Sequence, residues 1–364
     1  MRRLQTLVVL LGGIAMAGLV APDSPIPAPG TAGAPHTPLN GTDAQSFLRG
    51  RALFDRSFPV ADGLGPHFNG DSCRSCHQDP VVGGAGGIDV QVQRPAISDG
   101  NGGFISPPET GALAQTHSIV GVPREEIPAN VVFVEERNSP TTLGLGLIEQ
   151  IAEATILANQ DANDDDDDDI RGVAHMVAGG VVGRFGWKAQ VPDLESFARD
   201  ALSNELGITV PDNGNSFGDA AADPEILQPA IDDLAFFMRS LDFAPLRPTT
   251  AQITEGETRF DSLGCVKCHV PSMDGVLLYS NLLLHNVQPD GFQGVTQGNA
   301  TSGLYRTAPL RGLRSSAPYW HDGRSETIEA AVRRHDGEAL TVRQAFENLT
   351  STQRAAVIAF LLSR

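Results

Sequence analysis

All four cysteines of this chain fall in two copies of one pattern, Cys73-Arg74-Ser75-Cys76-His77 and Cys265-Val266-Lys267-Cys268-His269. At Cys-x-x-Cys-His spacing two thiols can form thioethers to the vinyl groups of one haem while the adjacent imidazole binds its iron. Redox dithiols or zinc half-sites would use the same cysteines, but neither needs a histidine directly after each pair. Two covalently bound haem c groups are therefore expected, held by Cys73, Cys76 and His77 and by Cys265, Cys268 and His269.

Each motif needs a helix to lean on, and a second repeat supplies one. Gly50-Arg-Ala-Leu-Phe54-Asp55 matches Gly256-Glu-Thr-Arg-Phe260-Asp261, each just ahead of its motif. An internal duplication of a cytochrome c-like unit follows. Asp261 lies 4 residues before Cys265 and Asp55 lies 18 before Cys73, so the first unit carries a 14-residue insertion, which contains His67. A helix is expected from Thr42, with Thr-Asp-Ala-Gln as its capping box. Pro224 to Leu241 reads as an amphipathic helix with Ile231, Leu234, Met238 and Leu241 on one face, Met238 being core. A last helix should open at Thr350 or Ser351 and pack on the helix before Cys265. Val81 to Pro123 reads as long loops, with short strands around Ile88 to Val92 and Val131 to Val134. His117, a lone loop histidine, is read as structural or exposed.

Asp161, Asn163, Asp165 and Asp167 put oxygens at alternate positions within an acidic run, as calcium loops do. The turn glycine and late glutamate of an EF-hand are missing. A calcium site and a solvated acidic loop both remain open there.

The chain has 364 residues, a net charge of -18 and 6% aromatics. That charge disfavours nucleic acid and suits either a basic redox partner or simple solubility. Arg2, Arg3, the apolar run Leu7 to Val20 and Ala15-Met16-Ala17 read as a signal peptide over residues 1–21. After cleavage no stable membrane span is expected, although the run is long enough that an uncleaved anchor stays open. Export to the periplasm of a Gram-negative bacterium agrees with haem attachment outside the cytoplasm. Residues 22–41, rich in Pro, Ala and Gly, are expected to be a flexible or extended linker with His36 exposed and idle. An N-terminal haem domain with insertions (42–245) and a C-terminal cytochrome c domain (246–364) should follow. The expected fold is mostly α, with two cytochrome c-like haem domains, long loops and a few short strands.

Beyond the two motifs, Pro318-Tyr319-Trp320-His321-Asp322-Gly323 resembles a segment of the bacterial di-haem cytochrome c peroxidase superfamily, which includes the enzyme that matures the tryptophan cofactor of methylamine dehydrogenase. Gly144-Leu-Gly-Leu-Ile-Glu149, Gly183-Arg-Phe-Gly-Trp187-Lys-Ala189, Leu282-Leu-Leu-His285 and His335-Asp-Gly-Glu-Ala339 are similar to its di-haem oxidoreductase branch, once labelled thiol oxidoreductases. The resemblance runs from about residue 45 to the C-terminus and is specific for family rather than substrate.

The resemblance implies further roles. The sixth ligand of the C-terminal haem would fall on His335, 14 residues after His321, where the peroxidases have Met and the maturation enzyme Tyr. His285 is the rival ligand, or else a group beside the same haem. Trp187 matches the tryptophan between the haems. Glu205, 18 residues later, matches an acid over the open face of the N-terminal haem. Phe197 stands where the peroxidases have Gln. Glu136 stands where they have a switchable distal histidine, so the N-terminal iron would be open without reductive activation. Gly144 aligns near the asparagine of an inter-haem calcium site. The implied activity is that of a peroxidase-like oxidoreductase. Its electrons would come from a cytochrome c or cupredoxin-like donor, enter at the C-terminal haem and reduce peroxide or oxygen at the N-terminal one. Alternatives are a di-haem electron carrier without turnover, and an oxidase or oxygenase of a protein or polymer.

Overall fold

The computed structural model describes residues 25–108, 111–211 and 221–364. The expected signal peptide lies outside them. Ten helices are found among these residues: α1 (Gly41–Asp55), α2 (Cys73–Cys76), α3 (Leu145–Glu149), α4 (Glu153–Leu157), α5 (Leu194–Leu206), α6 (Gln228–Ser240), α7 (Ala251–Ser262), α8 (Ile328–Arg333), α9 (Leu340–Glu347) and α10 (Ser351–Leu361). The strands are short, and the longest pair is Val92–Ser98 against Phe133–Arg137 in antiparallel register. The chain is thus helix-rich with short strands. None of the described helices is long and apolar enough to cross a membrane.

Two helix pairs frame the molecule, α1 with α6 and α7 with α10, and the repeated Gly-x-x-x-Phe builds both. A Cβ on Gly50 would sit 2.0 Å from the Asp233 carbonyl oxygen, and one on Gly256 would sit 2.0 Å from that of Ala356. Only glycine allows the backbones so close. Four residues on, Phe54 packs on Phe237 (ring centroids 5.4 Å apart) and reaches to 6.1 Å from the His77 ring. Phe260 does the same with Phe360 (5.2 Å) and His269 (6.3 Å). The repeat therefore serves one purpose twice: close helix packing with an aromatic ring delivered to each motif histidine.

The expected boundary at 245/246 separates the helix pairs but not the core. Met273, Leu278, Leu282 and Leu283 pack in the same apolar cluster as Phe47, Phe237 and Leu241, whereas Phe260, Tyr279, Phe346 and Phe360 form a second one. The segment after the second motif thus folds back onto the first half, burying apolar surface that would otherwise face water.

Several local expectations are corrected. α1 starts at Gly41 with Asn40 as its N-cap, and no side chain caps it, so Thr42 makes no capping box. At α10 the box is present, between Thr350 and Gln353. The described part of the linker is pinned rather than free: Ala34 is fully buried, the His36 amide donates to the Ser240 carbonyl (2.8 Å) and the Asp242 amide to that of Ala34 (2.9 Å). His36 is half-buried by this pairing. Ile88–Val90 is a 3-10 turn, and the strands lie just C-terminal to where they were expected.

Candidate functional site: a cavity shared by both motifs

Both Cys-x-x-Cys-His motifs open on one continuous cavity of about 440 Å³. In the first, Ser72 caps the turn of α2 by accepting from the Ser75 amide, which sets Cys73 and Cys76 one turn apart. His77 is tethered through Nδ1 to the Gly84 carbonyl oxygen (3.2 Å). In the second, His269 is tethered through Nδ1 to the Tyr279 carbonyl oxygen (3.0 Å). A ring anchored at Nδ1 presents Nε2, the usual arrangement of a metal-ligating histidine. Burial holds both imidazoles below their ordinary range, His269 down to about 4 with help from His335 nearby. They are therefore neutral, as an iron ligand must be. Burial also pushes the Cys73 and Cys265 thiols up to about 12, unlike the low-lying thiols of redox dithiols.

His335 lines the cavity, with its Nδ1 against the Ala331 carbonyl oxygen (3.0 Å) and Nε2 left over. His285 lines it too, but both of its ring nitrogens are engaged. Nδ1 meets Glu338 Oε2 at 2.9 Å and Cys268 Sγ at 3.6 Å, and Nε2 meets Asn281 Nδ2 at 3.0 Å. Of the two, His335 alone has a nitrogen to offer.

Trp187 lies on the wall of the same cavity and donates from Nε1 to the Asn138 carbonyl oxygen (2.8 Å). Its ring is edge-on to His321 at 6.4 Å. Glu205, at the end of α5, lines the half that holds Cys76 and His77. Its Oε2 accepts from Asn69 Nδ2 (2.9 Å). The Asn69 oxygen in turn receives the Thr116 amide (3.0 Å) and hydroxyl (3.1 Å), which fixes the amide's orientation. Burial raises the Glu205 carboxyl to about 7, against the pull of Asn69 and Arg94 and with some help from Asp200. Phe197 lines the cavity and stacks on Phe185 (6.3 Å).

Two departures from the peroxidase pattern acquire a physical reason. Along Phe133–Arg137 side chains alternate, so Glu135 and Arg137 point inward and Glu136 is exposed; Glu136 does not line the cavity. Gly144 has φ +80°, and a Cβ there would lie 2.2 Å from the Phe243 ring, so no asparagine fits. Within the acidic run, the carboxylates that converge within 4.8 Å are Asp161, Asp164 and Asp166. The alternating set Asp161, Asn163, Asp165 and Asp167 is not the one that gathers, because Asp164 and Asp167 adopt left-handed backbone and the loop curls as turns. Asp168 pairs with Lys267 of the second motif (2.5 Å). His117 is exposed and stacks on Phe68 (5.6 Å).

Sequence reasoning missed the basic groups. Arg94 and Arg137 are buried on the cavity wall, and Arg94 Nε and Arg137 Nη2 have no partner; nor do Arg311 Nε and Arg343 Nε in the other half. Unpaired buried guanidinium N–H groups cost free energy unless an anion meets them. A haem brings two propionates, an apolar face and a need for imidazole, so the cavity's residues fit two haems. The inward alternation of Glu135 and Arg137 along their strand was the available signal. Asn69 gave none, because it sits in the insertion.

Residues 124–364 match the family described as "Di-haem oxidoreductase, putative peroxidase", over more than half of the chain. No curated protein matches the sequence. Among solved structures, the diheme peroxidase BthA from Burkholderia thailandensis E264 is similar in fold at TM-score 0.50 and 15% identity, over 90% of this chain and 88% of that one. A MauG-like protein associated with microbial copper homeostasis aligns at TM-score 0.44 and 17% identity, over 92% of this chain and 93% of that one. With two Cys-x-x-Cys-His patterns on one cavity and this family match, the chain belongs to the family of di-haem oxidoreductases described as putative peroxidases and is an oxidoreductase.

Proposed function

We propose that this chain is an exported, periplasmic di-haem c-type cytochrome that reduces peroxide. Cys73 and Cys76 would hold one haem in the 42–245 domain, and Cys265 and Cys268 the other in the 246–364 domain. His77 and His269 serve as proximal ligands. The observation that carries the reading is an asymmetry. Among cavity-lining imidazoles anchored at Nδ1 by a backbone carbonyl with Nε2 to spare, the C-terminal half offers two, His269 and His335, and the N-terminal half one, His77, in company with a buried carboxyl, Glu205. Two imidazoles close a site for electron transfer; one leaves a coordination position for a small molecule.

When bound, haem supplies one-electron storage and an iron centre at which peroxide can be reduced. The chain's own residues do the rest. His335 in place of a thioether would lower the potential of the group held at Cys265 and Cys268, so its cytochrome c or cupredoxin-like donor would itself be of low potential and the group would be a strong donor toward the N-terminal half. Trp187, held at Nε1 by Asn138, bridges the two halves. Glu205 takes the proton from one peroxide oxygen and returns it to the leaving one, a role its raised pKa suits near neutral pH. Two electrons and two protons then turn hydrogen peroxide into two waters. Calcium at Asp161, Asp164 and Asp166 belongs to the same reading as a structural ion beside the second motif.

The test is low-temperature EPR of the ferric two-haem protein beside His335→Ala. A high-spin and a low-spin bis-imidazole signal are expected in the parent, with the second lost in the variant. Two low-spin haems that persist on partial reduction would make the chain a plain electron carrier and sink the peroxidase reading.

A further inference from the structure

Trp320 adopts φ +82°, a left-handed backbone conformation that L side chains rarely take and a bulky aromatic residue least of all. Such a conformation persists only where its surroundings over-determine it. Here they do. The turn is clamped by the Tyr319 amide donating to the Ser325 carbonyl (2.7 Å) and the Tyr319 hydroxyl to the Leu313 carbonyl (2.8 Å). From the other half of the chain, the Asn138 amide donates to the His321 carbonyl (2.7 Å), its Nδ2 to that of Pro318 (2.9 Å), and Gln91 Nε2 to that of Asp322 (2.6 Å).

The strained residue sets its ring nearest His335, with His321 further off at 6.2 Å. The Trp320 indole meets the His335 imidazole edge to face, at 5.0 Å and 77°. The Ala331 carbonyl holds His335 Nδ1, and the indole edge packed against the ring adds a second restraint on its orientation. We propose that Trp320 is a positioning residue for His335, holding that imidazole so that its Nε2 stays committed as the sixth ligand of the C-terminal haem. This rests on the ligand reading above. It also gives the left-handed turn a purpose: the residue after Tyr319 turns back toward α8 rather than continuing away from it. Because Asn138 binds both this turn and the Trp187 indole, the same clamp registers the His335 side of the cavity against the Trp187 side.

The test compares Trp320→Ala, Trp320→Phe and Trp320→Gly with His335→Ala, all as two-haem proteins with haem content checked by absorbance. The readouts are the EPR signal and the midpoint potential of the C-terminal haem. Trp320→Ala and Trp320→Gly should lose part of the bis-imidazole signal, gain high-spin signal in proportion, and raise the potential; Trp320→Phe should restore most of both. Trp320→Gly relieves the backbone and serves where Trp320→Ala fails to mature. Parent-like spectra and potentials in Trp320→Ala or Trp320→Gly would overturn the proposal. A bis-imidazole signal that survives His335→Ala would instead overturn the ligand reading beneath it.

Discussion

Glu205→Gln tests the active-site reading through two effects of opposite sign. Burial raises the Glu205 carboxyl from its ordinary 4.5 to about 7, with Asn69 and Arg94 pulling the other way. Between those values the folded protein binds a proton that the unfolded chain has released. Stability therefore falls as pH rises from 4.5 to 7, and above 7 the buried carboxylate costs roughly 3 kcal/mol. Glutamine is neutral at every pH and nearly the same shape. It should stabilise the protein by that order at pH 8 and change it little at pH 4. The same substitution removes the proton acceptor, so kcat/KM for peroxide should fall by about 10² to 10⁴-fold, and its rise with pH near 7 should vanish. Thermal melts at both pH values and a pH-rate profile measure the two effects. A variant that keeps the limb near pH 7 would assign it to another group. A stability gain without loss of rate would make Glu205 a strained bystander.

Gly256→Ala and Gly50→Ala should each destabilise by about 1–3 kcal/mol, because the added methyl meets a backbone carbonyl that cannot yield, and this outweighs alanine's better helix propensity. An unchanged melting temperature in either variant would refute the close-packed helix pair there. Calcium at ten times its Kd should stabilise the protein by about 1.4 kcal/mol and raise its melting temperature. Asp164→Asn should abolish that rise, and an equal response in the variant would remove the acidic loop from consideration.

What could be read from the residues was whatever depends on short-range spacing. Cys-x-x-Cys-His is a local constellation, so Cys73, Cys76, Cys265 and Cys268 need no tertiary knowledge. The Gly-x-x-x-Phe repeat is likewise one helical face, and the cytochrome c-like unit it marked carried the expectation that α7 pairs with α10. The start of the last helix near Thr350 was legible, whereas the capping box expected at Thr42 does not form, because the backbone already turns helical at Gly41.

Only the fold could decide what depends on residues far apart in the chain. The resemblance favoured His335 over its rival His285, but nothing local to either histidine separates them. They part company once Glu338 and Asn281 occupy both nitrogens of the first and the Ala331 carbonyl takes only one nitrogen of the second. The acidic run shows the same limit in a loop, since left-handed backbone at Asp164 and Asp167 broke the alternation that the letters suggested. Asn69 and Glu205 lie 136 residues apart, and Trp320 and His335 meet across a strained turn that no propensity foretells. The proposed attachment of each haem is thus written in five consecutive residues. The proposed difference between a closed site and an open one rests on long-range hydrogen bonds that no local pattern encodes.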